Sequence, residues 1–205
     1  ELGFALSAMN LMYTDLETQE KRPVENWFQS SKQFSREGKV FGPYTELLNV
    51  DSKSAKRFVN STLDKKIADQ YAHNALFNRI QAEIKGASLL RFVWLGKNYG
   101  IEPKSGFYDY LYSKALNQNQ ELAESIIEYT VFTDIEFNPK MNGVVVRFNT
   151  QARACAIFVA LSKKGLLNIA LKDFSSFVDC VQYETDSISN PNNNIQAELP
   201  FFIDD

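Results

Sequence analysis

Strand-forming sequence is scarce in this chain, and that scarcity limits the folds open to it. Residues 89–95 (Leu-Leu-Arg-Phe-Val-Trp-Leu) are short, bulky and closed by Gly96, and residues 144–148 are rich in β-branched side chains. Both read as strands, paired with each other in the simplest arrangement. Residues 132–138, ending at Pro139, form a loop or a short strand. Helical spacing dominates elsewhere. Asp51 or Ser52 caps a run in which Ala55, Val59, Leu63, Ile67 and Tyr71 recur every four residues, and Asn60-Ser61-Thr62 breaks it into two helices before Lys85. A helix opens at Glu102-Pro103-Lys104, is interrupted at Asn117-Gln118-Asn119-Gln120 and resumes over 121–129. Residues 150–164 carry the clearest helix, with Gly165 at the C′ position, and 166–180 are mainly helical. Residues 4–13 read as extended, largely buried chain, 14–22 as a turn or loop, and 38–44 as a loop around Gly42-Pro43. The expected fold is α+β, mostly helical, with a few short strands.

The chain has 205 residues and no internal repeat, enough for one well-built domain, expected over 3–183. From Thr185 a Ser/Asn/Pro-rich run thins the apolar content, so 184–205 is expected as a mobile tail whose last apolar residues, 199–203, dock on the body or on a partner. A net charge of −3 argues against holding duplex DNA by a general basic surface, but leaves contact with one nucleotide or one modified base open. Sixteen Phe and nine Tyr make aromatic pocket walls easy to build. Cys155 sits in an apolar run and reads as a buried small hydrophobe; with Cys180 it forms no disulfide framework or zinc spacing, which suits a reducing cytosol. No apolar run reaches the roughly 18 residues of a membrane span. The start, Glu1-Leu2-Gly3-Phe4, carries neither an initiator Met nor a signal-peptide pattern and reads as an excised fragment.

The only histidine, His73, lies in a helical run without serine, cysteine or metal-ligand partners, so it reads as surface or half-buried packing. No Gly-rich phosphate loop is present. Carboxylates with a nearby lysine remain, a set suited to acid/base or imine chemistry. They converge on residues 23–32 (Pro-Val-Glu-Asn-Trp-Phe-Gln-Ser-Ser-Lys). On a helix opened by Pro23 and ending by Gly38, Glu25, Gln29 and Lys32 fall at i, i+4 and i+7 and share a face. Over seven residues the rise is about 10 Å, too long for a close ion pair but suited to gripping a ligand from two sides. A solvated polar stripe gives the same spacing. Lys32 lies between Phe28 and Phe34, where desolvation would free its amine for attack. Asp134 and Glu136 alternate, so a strand would turn both one way, toward a site or toward solvent.

These residues carry a resemblance. Val24-Glu25-x-x-Phe28-Gln29-x-x-Lys32 resembles the Glu-His-x-x-Gln-x-x-Lys signature of the NADAR family, the YbiA-like N-glycosidases. Residues 114–122 (Lys-Ala-Leu-Asn-Gln-Asn-Gln-Glu-Leu) are similar to its Lys-Phe-x-Gln-Asn-x-x-Leu segment, and 132–139 fall where the family has an acidic closing motif. The runs at 4–11, from Gly42-Pro43-Tyr44 to Lys56, at Glu102-Pro103-Lys104 with Phe107-Tyr108-Asp109, and at 133–139 look most like the NADAR antitoxins associated with DarT toxins. The likeness spans 3–167, with 65–85 looking like an insertion. Two departures stand out: Asn26 replaces the signature histidine, and Asn138-Pro139 stands where riboflavin-type relatives end Trp-Gly-x-Gly. Both weaken a riboflavin-intermediate reading more than an antitoxin reading.

The resemblance implies a NADAR-like domain and a hydrolase that removes ADP-ribose from guanine bases of DNA, an antitoxin or anti-defence factor against a DarT-type DNA ADP-ribosyltransferase. By position, Lys32 would attack or stabilise the anomeric carbon, Glu25 would serve as acid/base or ribose ligand, and Asp134, with Glu136, would complete the acidic side. Gln29 would position substrate, Asn10 would contribute a polar contact or cap a turn, and Trp27, Phe41 and Tyr44 would stack on a base or fill the core. The implied partners are ADP-ribosylated guanine in DNA and a DarT-type toxin, in the cytoplasm of a bacterial cell, with no membrane and no metal or redox cofactor. The alternatives are a non-catalytic binder of the toxin or of ADP-ribosylated DNA, and an N-glycosidase on a riboflavin-pathway nucleotide.

Overall fold

The computed structural model describes residues 2–132 and 150–182, and within them the fold is α+β and mostly helical. A short helix α1 (Leu2–Ala5) leads into a two-stranded hairpin of β1 (Met12–Thr14) and β2 (Lys21–Pro23), with Tyr13 opposite Arg22. Residues 4–13 are therefore not extended throughout. Ser7 and Asn10 explain the difference: the Asn10 amide donates to the Phe4 carbonyl (2.9 Å) and the Asn10 N–H to the Ser7 carbonyl (2.8 Å), so local bonds turn the chain.

Helix α2 spans only Val24–Ser30, with Pro23 at its N-cap. The expected longer helix is cut short by Ser30 and Ser31, whose hydroxyls donate to the Trp27 and Phe28 carbonyls (3.0 and 2.8 Å). The Ser30 and Ser31 carbonyls are taken by the Tyr44 and Val93 N–H groups, so neighbouring chain replaces the next helical turn. Lys32 thus begins strand β3 (Lys32–Arg36). It pairs with β4 (Lys39–Phe41), which occupies part of the stretch expected as loop, and with β5 (Ser88–Trp94), the strand expected at 89–95. β6 (Lys97–Tyr99) completes an antiparallel sheet ordered β4-β3-β5-β6. The described partners of β5 are β3 and β6; the expected strand at 144–148 lies outside the described residues. Lys32 stands directly opposite Phe92, and pairing then shifts so that Phe34 meets Leu89.

Two apolar cores flank this sheet. A smaller one joins Phe34, Tyr44, Leu47, Phe58, Phe77, Ile80 and Ile84. It is built by a 3-10 turn (Thr45–Asn49), α3 (Ser52–Phe58) and α5 (Ala75–Ile84), with α4 (Lys65–Gln70) between them. Asp51 caps α3 as expected, its carboxylate accepting from the Ser54 N–H at 2.9 Å. The stretch to Lys85 holds three helices rather than two, because Asp64 and Asn74 each cap a new start.

The larger core centres on α6 (Gly106–Gln118), which packs against α8 (Thr150–Lys163) and carries Phe107, Tyr110, Leu111, Tyr112 and Leu116, all buried. α6 begins later than its Glu102-Pro103 signal because Ser105 holds a left-handed conformation (φ 67°) incompatible with the helix interior. It breaks at Asn119 before α7 (Gln120–Ile126), at the expected interruption. α8 ends as expected with Gly165 at positive φ (67°), followed by α9 (Leu167–Ala170) and α10 (Phe174–Val181). Cys155 is buried, and His73 is exposed. No helix among the described residues is long and apolar enough to cross a membrane.

Candidate active site

The beginning of α2 is pinned by backbone rather than by a capping side chain. The Val24 N–H donates to the Leu11 carbonyl and the Glu25 N–H to the Ala8 carbonyl, both at 2.8 Å. This brings the 7–9 turn against the first turn of α2, so Ser7, Ala8 and Met9 share a cavity with Glu25, Phe28 and Gln29. Phe92 of β5, Lys56 of α3, and Lys104, Ser105, Phe107 and Tyr108 at the opening of α6 close it further, leaving a volume of about 480 Å³. That is the size of a small-molecule site.

The floor is aromatic. Phe28 lies 5.3 Å from Phe92 and meets Tyr108 edge-on at 5.1 Å, while Phe92 stacks on Phe107 at 4.6 Å. These rings belong to three elements, so the floor is also the junction that fixes α2, β5 and α6 to one another. Glu25 is 5% exposed and accepts a hydrogen bond from the Gln29 amide at 2.6 Å, one turn on. The Gln29 amide oxygen is buried with no partner.

Lys32 reaches this region by strand pairing rather than by helical spacing. Directly opposite Phe92, it shares that residue's face of the sheet. It is not a lining side chain of the cavity; its Nζ lies 4.9 Å from the centroid of Phe28, which is. Although Lys32 is only half-buried by exposure, protein surrounds it, and desolvation pulls its amine down to about 8. The Lys56 cation lowers it further and the Glu25 charge opposes the shift. Glu25 and Lys32 therefore interact through space, without a direct ion pair. An amine so placed is neutral far more often than a surface lysine, and can act as a nucleophile beside a carboxyl group.

Of the other expected site residues that are described, the structure brings none to the cavity lining. Asn10 shapes the 7–10 turn through its bond to Phe4. Trp27 is buried, its indole N–H donating to the Tyr13 carbonyl at 3.1 Å. Tyr44 is 1% exposed within the smaller core, and Phe41 lies under the Arg36 guanidinium. Asp134 and Glu136 lie outside the described residues. Among the described residues, no group of three or more His, Cys, Asp or Glu could hold a metal.

Sequence reasoning missed several contributors. Phe92, Phe107, Tyr108, Lys56, Lys104 and Ser105, given no site role from sequence, meet only through tertiary folding; the abundance of Phe and Tyr and the family-like runs that contain Lys56, Lys104, Phe107 and Tyr108 were the available hints. Asn26 was noted only as a missing histidine. It is buried, donates to the Leu47 and Val50 carbonyls (2.7 Å each) and accepts from the Ser52 hydroxyl at 2.6 Å. It thereby ties α2 to the start of α3, the helix that carries Lys56. The Gln118-Asn119 pair is likewise a bracket. Gln118 exchanges two 2.8 Å bonds with the backbone of Thr14, and Asn119 donates to the Met12 carbonyl at 2.9 Å. Asp109, fully buried on α6, faces Arg153 of α8 at 3.7 Å.

No curated protein matches the chain. The family model described as DarT1-associated NADAR antitoxin matches residues 1–79 and 69–191, and the two segments overlap inside the 65–85 stretch expected as an insertion. With nearly the whole chain matched, the protein belongs to the NADAR-DarT1 family, the DarT1-associated NADAR antitoxins.

Proposed function

We propose that this antitoxin is a hydrolase that removes ADP-ribose from guanine bases of DNA, cleaving the N-glycosidic bond in the cytoplasm of a bacterial cell and so undoing the product of a DarT-type toxin. The observation that carries this reading is the desolvated Lys32 amine, held near 8 beside an aromatic cavity containing a buried Glu25. The neutral amine, swung from beside Phe28 on its four-carbon stem, attacks the anomeric carbon. The bond from that carbon to the guanine nitrogen breaks and the nitrogen takes one proton of the amine; the bond to the ring oxygen then breaks, that oxygen takes the amine's other proton, and the opened ribose is held as an imine. Water then adds to the imine carbon and expels the lysine amine, releasing ADP-ribose. Glu25 is suited to pass the protons in both steps, with Gln29 fixing the orientation of its carboxyl group. Asp134 and Glu136 are assigned to the acidic side on the family resemblance alone.

The test is mass spectrometry of a guanine-ADP-ribosylated oligonucleotide incubated with wild type, Lys32→Ala and Glu25→Ala. Loss of the modification with wild type alone is the expected result. Retention with folded wild type defeats the hydrolase reading and leaves a binder. Reduction of the wild-type reaction with borohydride traps the imine as a stable adduct on the peptide containing Lys32; an adduct on another lysine removes Lys32 from its role.

A further inference from the structure

Lys32 comes to the site by strand pairing, so whatever fixes that pairing also fixes the amine. β3 and β5 meet in two registers. Lys32 faces Phe92 and Gln33 faces Arg91, whereas Phe34 faces Leu89 and Ser35 faces Ser88, which leaves Leu90 as the extra residue of a bulge. Carried past the bulge, the second register would set Gln33 opposite Leu90 and Lys32 opposite Arg91. Side chains alternate along a strand, so this slip would move Lys32 off the Phe92 face of β5 and place two cations against each other. Gln33 and Arg91 are the last pair before the bulge, and their side chains bond in the first register only. The Arg91 Nε–H donates to Gln33 Oε1 at 2.6 Å, and Gln33 Nε2 donates to the Gly42 carbonyl at 3.1 Å. One buried amide is thus bonded on both sides. Both residues lie on the face of the sheet opposite Lys32 and Phe92, and neither lines the cavity.

We propose that Gln33 and Arg91 are positioning residues for the Lys32 amine: their bond holds β3 and β5 in the register that turns Lys32 toward Phe92 and Phe28. Arg91 acts twice. In the working register it donates to Gln33 across the sheet, and in the slipped register it would stand against Lys32 and repel it. The Gly42 end of Gln33 adds a second anchor from the chain beyond β4. Removing Arg91 takes the donor from a buried amide oxygen, which penalises the working register and lifts the repulsion that opposes the other. This rests on the hydrolase reading for the step that Lys32 performs, while the placement of its amine is measurable without turnover.

The experiment compares the full chain as wild type, Arg91→Met, Arg91→Gln and Gln33→Met, each checked for its fold by circular dichroism. Arg91→Gln removes the cation but keeps an N–H donor the same number of bonds from Cα, whereas Arg91→Met removes both. Two quantities are read: the pH midpoint of Lys32 acylation, by peptide mass spectrometry, and the single-turnover rate on a guanine-ADP-ribosylated oligonucleotide against enzyme concentration. In Arg91→Met and Gln33→Met the midpoint rises from about 8 toward 10.5 as the amine turns to solvent. The saturated rate falls by about tenfold or more, as for loss of one charge-assisted bond, with half-saturation moving less than about twofold. Arg91→Gln stays near wild type on both. If Arg91→Gln moves as far as Arg91→Met, the effect is loss of a cation and the positioning role falls. If the folded variants lose resistance to urea but keep wild-type acylation and rate, the pair is merely structural and the role falls again. Should Gln33→Met not fold, the two substitutions at half-buried Arg91 still decide between these outcomes. An acylation midpoint that follows the Gln33–Arg91 bond in a wild type that leaves modified DNA intact preserves the positioning role while the hydrolase reading fails. Hydrolysis equally fast in all four proteins gives the reverse.

Discussion

The ionisation of Lys32 is the quantity on which the proposed chemistry turns. With its amine near 8 rather than the ordinary 10.5, about a tenth of Lys32 is neutral at pH 7, against about 0.03% for a free lysine. The net shift, led by desolvation, thus raises the neutral fraction by about 300-fold. The fraction climbs about another tenfold as pH passes well above 8, so the single-turnover rate follows the same rise and then levels. The direction for stability is consistent. The folded pKa lies below the unfolded value, so between about 8 and 10.5 the unfolded chain binds more protons and stability increases with pH; below 8 the burden of burying the cation is constant. Acylation of Lys32, read against pH by peptide mass spectrometry, measures this without hydrolysis. The midpoint should fall near 8, move up in Lys56→Met, where an opposing cation is gone, and move down in Glu25→Gln, where a supporting charge is gone. A wild-type midpoint near 10.5 refutes the desolvated amine. A downward shift in Lys56→Met refutes the assigned electrostatics.

Two further substitutions probe how the site is held. A Cβ at Gly42, which has φ 79°, would stand 2.5 Å from the Lys32 carbonyl oxygen; Gly42→Ala should cost about 2 kcal/mol or more in urea denaturation and displace the first residue of β3, and a change within error would mean that this contact relaxes freely. Asn26→Ala strands the Leu47 and Val50 carbonyls and leaves the Ser52 hydroxyl only its 3.4 Å bond to the Met9 carbonyl, with an expected loss of about 2–4 kcal/mol; Asn26→Asp should not rescue it, because a carboxylate cannot donate to two carbonyls.

Taken alone, the sequence determined the helices with strong local signals: Asp51 capping α3, the break after Gln118, and α8 closing on Gly165. It also placed β5 and marked Glu25, Gln29 and Lys32 as belonging together. Local information suffices there because caps, turns and amphipathic spacing act within a few residues. The three residues do not lie on one continuous helical face. Ser30 and Ser31 end α2, and Lys32 comes to the site because β3 pairs with β5 and sets it opposite Phe92. Helical periodicity could not reveal this, since the last carbonyls of α2 are claimed by Tyr44 and Val93, distant in sequence. Likewise, Trp27 and Tyr44 read equally as stacking platforms or core, and only burial decided for the core. The cavity floor, its lysines and the uncapped start of α6 come from four separate parts of the chain. Their chemistry exists only once the aromatic rings of α2, β5 and α6 have packed, because desolvation is a property of what surrounds a group and not of the residues beside it in sequence.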